Sequence, residues 1–393
     1  MSSAVSPSPH IRAGHWSRSS RAPRFGILST YPPTACGLAT FSAALAGGLA
    51  VNGAEANVVR IADGSASRDA RIVGELVNGS PTSVAASAAL LNRSDVAVIQ
   101  HEYGIYGGAD GGEVVDVMSG LQIPSIVVAH TVLKDPTSHQ RSVLVAIAAL
   151  ADQVVVMSDA ASHRLCLGFD VDPRKVAVIA HGATVSTTIP SAPRSSRPTL
   201  LTFGLLGPGK GIERVIEAMG SLHDLAVRPR YVVAGRTHPK VLAADGEAYR
   251  NARIQQARRR GVAASVSFDP NYRDVQSLTA LVASADVVVL PYDSTDQVTS
   301  GVLVDAIAAG RPVVATAFPH AVELLAGGAG IVVAHDDPEA MGSALRRLLS
   351  EPGLAGSMAA EASRLAPTMA WPVVANAYLD LAHVLLADRS ALV

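Results

Sequence analysis

Gln297 stands eight residues before Asp305, and the stretch between them, Val-Thr-Ser-Gly-Val-Leu-Val, is a small-residue turn that should open a helix. Gly310 would close that helix, and Arg-Pro-Val-Val would begin a buried strand. The start of a helix carries backbone N–H groups with no partner inside the helix, and these favour an anion. A carboxylate near the same helix start can hold hydroxyls. Free backbone N–H groups and a carboxylate at one helix start therefore suit a nucleoside diphosphate and its ribose. This points to sugar-nucleotide chemistry more than to generic nucleotide binding.

A second segment, Gly204-Leu-Leu-Gly207-Pro-Gly209-Lys210-Gly211, reads as a strand, a glycine-rich loop and a helix. A lysine just before a helix adds a full charge to the helix dipole and favours a diphosphate. The loop is not a Walker loop, because Gly-Lys is followed by Gly instead of Ser or Thr. A solvated surface lysine is the plainer reading. Arg236 follows the next strand in Ala-Gly-Arg-Thr-His and offers a second, bidentate phosphate contact.

In the first half, Gly37 sits in the loop after the first strand, where backbone can approach a phosphate or sugar; an ordinary βα turn explains it equally well. His101, Glu102 and Tyr103 follow directly on a buried strand and precede glycines, so they should face a cleft, bind an acceptor or move protons. His130 ends another buried strand and reads either as a satisfied, semi-buried histidine or as a donor-sugar contact. His181-Gly182 reads as a structural turn. Asp336-Asp337 precedes a proline and a helix and reads as an N-cap pair, not a metal site. No metal is expected, and charge neutralisation falls to Lys210, Arg236 and helix dipoles.

The elements that must position these groups are short Val/Ile/Leu runs alternating with helical stretches. Strands are predicted at Arg24–Ser29, Asn57–Ile61, Asp95–Gln100, Ser125–His130, Gln153–Met157 and Lys175–Ile179. The second half repeats the style at Thr199–Gly204, Arg230–Ala234, Ser265–Phe268, Asp286–Leu290, Pro312–Thr316 and Gly330–Val333. Runs with little polar alternation are strands covered on both faces. The fold class is therefore α/β, with two doubly wound Rossmann-like domains facing a central cleft. The Ser/Pro/Arg-rich stretch Pro190–Pro198 divides residues 24–190 from residues 196–370. A last apolar helix, Trp371 to about residue 388, is expected to pack back on the first domain. Residues 1–23 read as a disordered tail with no apolar signal-peptide core.

Composition narrows the classes. The chain has 393 residues, enough for two domains, with 49% hydrophobic and only 17% charged residues. A net charge of -1 with no basic block beyond the tail gives nucleic-acid binding little support. Two cysteines, Cys36 and Cys166, form neither a disulfide framework nor a zinc pattern. A G-x-G-x-x-G turn is missing from the first loop, against a nicotinamide dehydrogenase. No apolar run reaches the ~20 residues of a membrane span. A cytoplasmic protein is the default expectation, and peripheral membrane contact stays open.

Taken together, the Lys210-Gly211 loop and the segment from Gln297 through Asp305 to Gly310 resemble the retaining glycosyltransferases of family 4, which have the GT-B fold. The resemblance spans residues 24–390. It implies that Lys210 contacts the donor diphosphate, that amides from Ser300 to Leu303 cradle it, and that Asp305 binds ribose hydroxyls. It further implies that His130 and Gln297 lie beside the donor sugar and that the Gly37 loop closes over the phosphates. Gln297 and Asp305 replace the two glutamates of the family's E-x7-E pattern, and Leu205 replaces its arginine five residues before the lysine. The expected activity is transfer of a hexose from a GDP- or UDP-hexose, GDP-mannose first, to a carbohydrate or other hydroxyl acceptor. A sugar-nucleotide 2-epimerase and a catalytically inactive nucleotide-sugar-binding protein are the alternatives, the latter because Gln297 cannot be a nucleophile.

Overall fold

Each half of the chain curls into its own parallel sheet. The computed structural model describes residues 22–185, 197–335 and 337–391. Most of the expected N-terminal tail, most of the Pro190–Pro198 linker and Asp336 lie outside the described residues.

The first sheet comprises β1 (Arg24–Ser29), β2 (Glu55–Ile61), β3 (Ile72–Leu76), β4 (Val96–His101), β5 (Ser125–Ala129), β6 (Gln153–Val156) and β7 (Val176–Val178). Its strand order is β3-β2-β1-β4-β5-β6-β7. The second comprises β8 (Thr199–Phe203), β9 (Arg230–Ala234), β10 (Val266–Asp269), β11 (Val287–Leu290), β12 (Val313–Thr316) and β13 (Gly330–Val333), in the order β10-β9-β8-β11-β12-β13. All pairings are parallel, with Ile27 level with Val58 on one side and Val98 on the other. In both sheets the order reverses beside the first strand, between β1 and β4 and between β8 and β11. Ligands of doubly wound folds sit beyond the carboxyl ends of strands at that reversal. The reversal thus selects the loops after β1, β4, β8 and β11.

The first domain's helices are α1 (Gly37–Val51), α2 (Pro81–Leu91), α3 (Glu113–Ser119), α4 (Ser138–Leu150) and α5 (Asp159–Phe169). Those after it are α6 (Ile212–Gly220), α7 (Pro239–Asp245), α8 (Ala248–Arg259), α9 (Val275–Ser284), α10 (Gly301–Ala308), α11 (Pro319–Leu324), α12 (Pro338–Ser350), α13 (Pro352–Leu365) and α14 (Trp371–Ala391). Each sheet is covered on both faces. Leu28, Ile99 and Val127 face the layer holding α2, α3 and α4, while Phe25, Ile27 and Val98 face α1 and α14. Burying each such side chain contributes roughly 1.5–3 kcal/mol. Helix α14 lies on α1 of the first domain, so close that a Cβ on Gly48 would fall 2.6 Å from the Trp371 carbonyl oxygen.

One strand went unread in the sequence. β3 is a half-exposed edge strand with Gly74 at its centre, and a Cβ there would lie 2.3 Å from Leu90 Cδ1 of α2. Asp337 does cap α12, accepting from the Glu339 and Ala340 amides at 2.9 Å each.

Candidate active site

The loop after β8 owes its shape to glycines. Gly211 has φ of 63°, and a Cβ there would sit 1.7 Å from the Pro291 carbonyl oxygen. Gly235 has φ of 141°, with its Cβ position 1.9 Å from the Gly204 carbonyl oxygen. Only glycine lets the three loops after β8, β9 and β11 nest this closely. The Asp293 amide completes the nest by donating to the Gly209 carbonyl at 2.9 Å.

This nest delivers Lys210 to the start of α10. The Lys210 ammonium lies 4.4 Å from the centre of the Tyr292 ring, which is 2% exposed. Burial depresses the lysine pKa. A Cβ on Gly204, in the same loop as Lys210, would contact Val302 Cγ2 at 3.6 Å. Lys210 and the first turn of α10 thus converge on one mouth.

At α10 the expected cradle narrows. Ser300 is the N-cap, its Oγ accepting from the Leu303 amide at 3.3 Å, and its own amide donates to His320 Nδ1 at 2.9 Å. The Ser300 and Leu303 amides are therefore already engaged. Gly301 and Val302, the first two residues of the helix, keep amides without an intrahelical acceptor. The Asp305 carboxyl, one turn in, makes no hydrogen bond or ion pair among the described residues, and burial pushes its pKa up to about 7. The Gln297 side-chain amide donates to its own loop at the Thr299 carbonyl (2.9 Å), and its backbone carbonyl accepts from His320 N–H at 3.3 Å.

The first domain supplies the opposite wall. Cys36 caps α1 through its Sγ, and a Cβ on Gly37 would meet nothing within 4 Å. No protein atom demands glycine there, so the space is open to a ligand. The loop before it is tied down by Arg60, 0% exposed, which reaches the Tyr31 carbonyl at 3.2 Å, Thr34 Oγ1 at 3.1 Å and Glu75 at 2.9 Å. His130 lies edge-on to Phe41 at 4.8 Å, with Nε2 2.5 Å from Gln100 Oε1. Burial, then the neighbouring His181 and His101, push its pKa down to about 3, so the ring is neutral. Glu102 accepts from Thr131 Oγ1 and, at 3.1 Å, from the Tyr103 amide, joining the ends of β4 and β5. Burial, then Glu102 and Asp110, raise the Tyr103 hydroxyl to about 12.

Two expected site residues are more enclosed than the sequence suggests. His101 is 1% exposed and packs edge-on against Tyr103 at 4.9 Å. Burial lowers its pKa to about 4, and neither ring nitrogen has a partner among the described residues. Arg236 lies 4.9 Å from the Tyr272 ring and donates through Nη2 to the Ala35 carbonyl at 3.1 Å, while its buried Nε has no partner among the described residues. It ties the Gly37 loop to the second domain. Two histidines were missed as site residues. His320 is held against Ser300, and His181, read as a turn, touches α10: its Nε2 lies 2.9 Å from the Cβ position of Gly301.

Further bonds join the domains. Glu323 accepts from the Asp159 and Ala160 amides at 2.9 and 3.0 Å, and Arg164 donates to the Asp296 carbonyl at 2.8 Å. Among the described residues no group of three His, Cys, Asp or Glu side chains is placed to hold a metal, and no helix is long and apolar enough to cross a membrane.

Comparison with known proteins agrees with this geometry. Two facing doubly wound domains define the GT-B class, and solved structures match across nearly the whole chain. The HepE protein of Anabaena in complex with UDP and glucose superposes with a TM-score of 0.72 at 16% identity, over 91% of this chain and 99% of that one. Sucrose-phosphate synthase of Thermosynechococcus elongatus gives 0.71 at 16% identity, over 93% and 100%. At such identities these likenesses show the fold alone. Residues 197–351 match the family model described as glycosyl transferases group 1. D-inositol 3-phosphate glycosyltransferases are 28% identical in Rhodococcus opacus, over 60% of this chain and 53% of the relative, and 30% identical in Corynebacterium diphtheriae, over 58% and 54%. This chain thus spans about half the length of those curated relatives. The chain is similar to the family 4 glycosyltransferases and has the GT-B fold.

Proposed function

We propose that the chain moves a hexose from a nucleotide-diphosphate sugar to a hydroxyl acceptor with retention at the anomeric carbon. The observation that carries this reading is the convergence of Lys210, the open Gly301 and Val302 amides and the unpartnered Asp305 carboxylate at one mouth. Lys210 and the α10 start stabilise the leaving diphosphate, and Asp305 holds the ribose. Each contact that strengthens as charge develops contributes on the order of 3 kcal/mol to lowering the barrier. Neutral His130 and the side-chain Oε1 of Gln297 orient the donor sugar. Gln297 cannot act as a nucleophile, so attack proceeds on the front face within a tight ion pair and not by double displacement. Glu102, held by Thr131, receives the acceptor hydroxyl. The work is placed in the cytoplasm and needs no resident metal.

The donor to test first is GDP-mannose, then UDP-hexoses. D-inositol 3-phosphate joins the acceptor panel because the curated relatives carry it in their names. Melting-point screening against GDP, UDP, ADP and their sugars identifies the base, since a bound ligand stabilises by mass action. Product analysis by mass and NMR then reads transfer. An isomerised sugar nucleotide with no acceptor consumed, or binding with neither transfer nor hydrolysis, overturns the proposal.

A further inference from the structure

His181 has no part in the reading above, yet it stands where the two domains meet. Its Nδ1 faces the Gly182 carbonyl at 2.7 Å. A carbonyl only accepts, so Nδ1 carries the proton and Nε2 of the neutral ring carries a lone pair. Nε2 lies 2.9 Å from the Cβ position of Gly301. Cβ atoms of a helix tilt toward its N-terminus, so Nε2 lies against the first turn of α10 at Gly301, one of the two residues with an open amide. The ring is hemmed in: Phe41 is edge-on at 5.1 Å and Trp371 stands at 6.0 Å.

The groups facing His181 set its charge. From the end of β5 comes His130 and from α11 His320, both neutral, with pKa values lowered chiefly by burial to about 3 and about 4. Phe41 of α1 and Trp371 of α14 bring no charge, and Asp305 lies one turn along α10. Burial lowers His181 itself to about 4, with the Gly182 carbonyl opposing. Among the described residues Lys210 brings an ammonium to this mouth, while Arg236 donates to Ala35 and lies against the Tyr272 ring. A diphosphate diester is a dianion, and its arrival favours the charged form of any base beside it.

We infer that donor binding draws a proton from solvent onto His181 Nε2, which then donates to a phosphate oxygen as the second cation of the site. This deepens the donor-site reading and rests on it. Sugar nucleotides are the right probe, because their diphosphate does not itself titrate near neutrality.

The test is calorimetric titration of the full chain with GDP-mannose and with UDP-glucose at about pH 6.5, in buffers of differing ionisation enthalpy. Wild type is expected to take up a fraction of a proton on binding, with affinity rising by up to about tenfold per unit fall in pH below the bound-state pKa. His181→Gln should bind more weakly and take up fewer protons. Because Asp305 also titrates near this pH, the uptake is read as the difference between wild type and variant, and a proton balance unchanged by His181→Gln overturns the inference. Should the variant not fold, nitrogen-15 histidine NMR of wild type decides: Nε2 must shift from the unprotonated to the protonated range on ligand addition, and an unmoved signal overturns it. If neither sugar nucleotide binds wild type, the donor-site reading falls and this inference with it; binding with a proton balance that His181→Gln leaves unchanged sinks only this one.

Discussion

Replacing Lys210 with Met separates function from folding at the centre of the site. The ammonium lies against the Tyr292 ring, and burial depresses its pKa. A lysine with a depressed folded-state pKa resists holding its proton in the fold, so its charge costs stability at neutral pH. Methionine keeps an apolar neighbour on the Tyr292 ring and removes that charge. The cation–π attraction given up is worth about 0.5–1 kcal/mol, which offsets part of the gain. The melting temperature of Lys210→Met without ligand should therefore equal or exceed that of wild type. Turnover should move the other way. Removing a charge stabiliser worth roughly 3 kcal/mol corresponds to about a hundredfold fall in kcat/KM. Initial-rate transfer assays and a thermal melt on the same preparations measure both. Near-normal kcat/KM, or a lower melting temperature with normal turnover, would show a structural lysine and refute the reasoning.

Asp305 gives a pH signature. Its carboxyl is raised by burial to about 7, so the fold binds a proton that the unfolded chain releases near pH 3.8, and stability falls as pH rises through that window. Asp305→Asn should remove the fall, raising the melting temperature relative to wild type at about pH 8 but not at about pH 4, while donor affinity drops roughly tenfold or more; parallel pH melts and calorimetry check both. Gly211→Ala places a Cβ against the Pro291 carbonyl in a left-handed conformation, and urea titration should show a loss of ~2 kcal/mol or more. Glu323→Ala uncaps α5 across the domain interface and should lower stability by about 1 kcal/mol while small-angle scattering reports a more open particle; an unchanged scattering profile counts against a closing role.

The fold was legible where chemistry is local. Runs such as Val-Val-Val-Leu at 287–290 cannot avoid burial on both faces, and glycines flanking Lys210 announce a turn before a helix. β3 was not legible, because a half-exposed, glycine-centred strand owes its existence to β2 beside it and α2 above it. Site residues divided the same way. Asp305 and Lys210 carry their reason in adjacent sequence. His181 and His320 do not: each matters through its approach to α10, from the other domain in the first case and across a short loop and strand in the second. Nor can a sequence show that the Ser300 and Leu303 amides are already engaged, or that Arg236 is turned toward Ala35 and Tyr272.

A crystal structure with the nucleoside diphosphate that most raises the melting point tests the central claim directly. The account predicts phosphate oxygens about 3 Å from Lys210 Nζ and from the Gly301 and Val302 amides, with a ribose hydroxyl on Asp305. A diphosphate seated elsewhere in the cleft, with Lys210 still resting on Tyr292 and untouched, would contradict it.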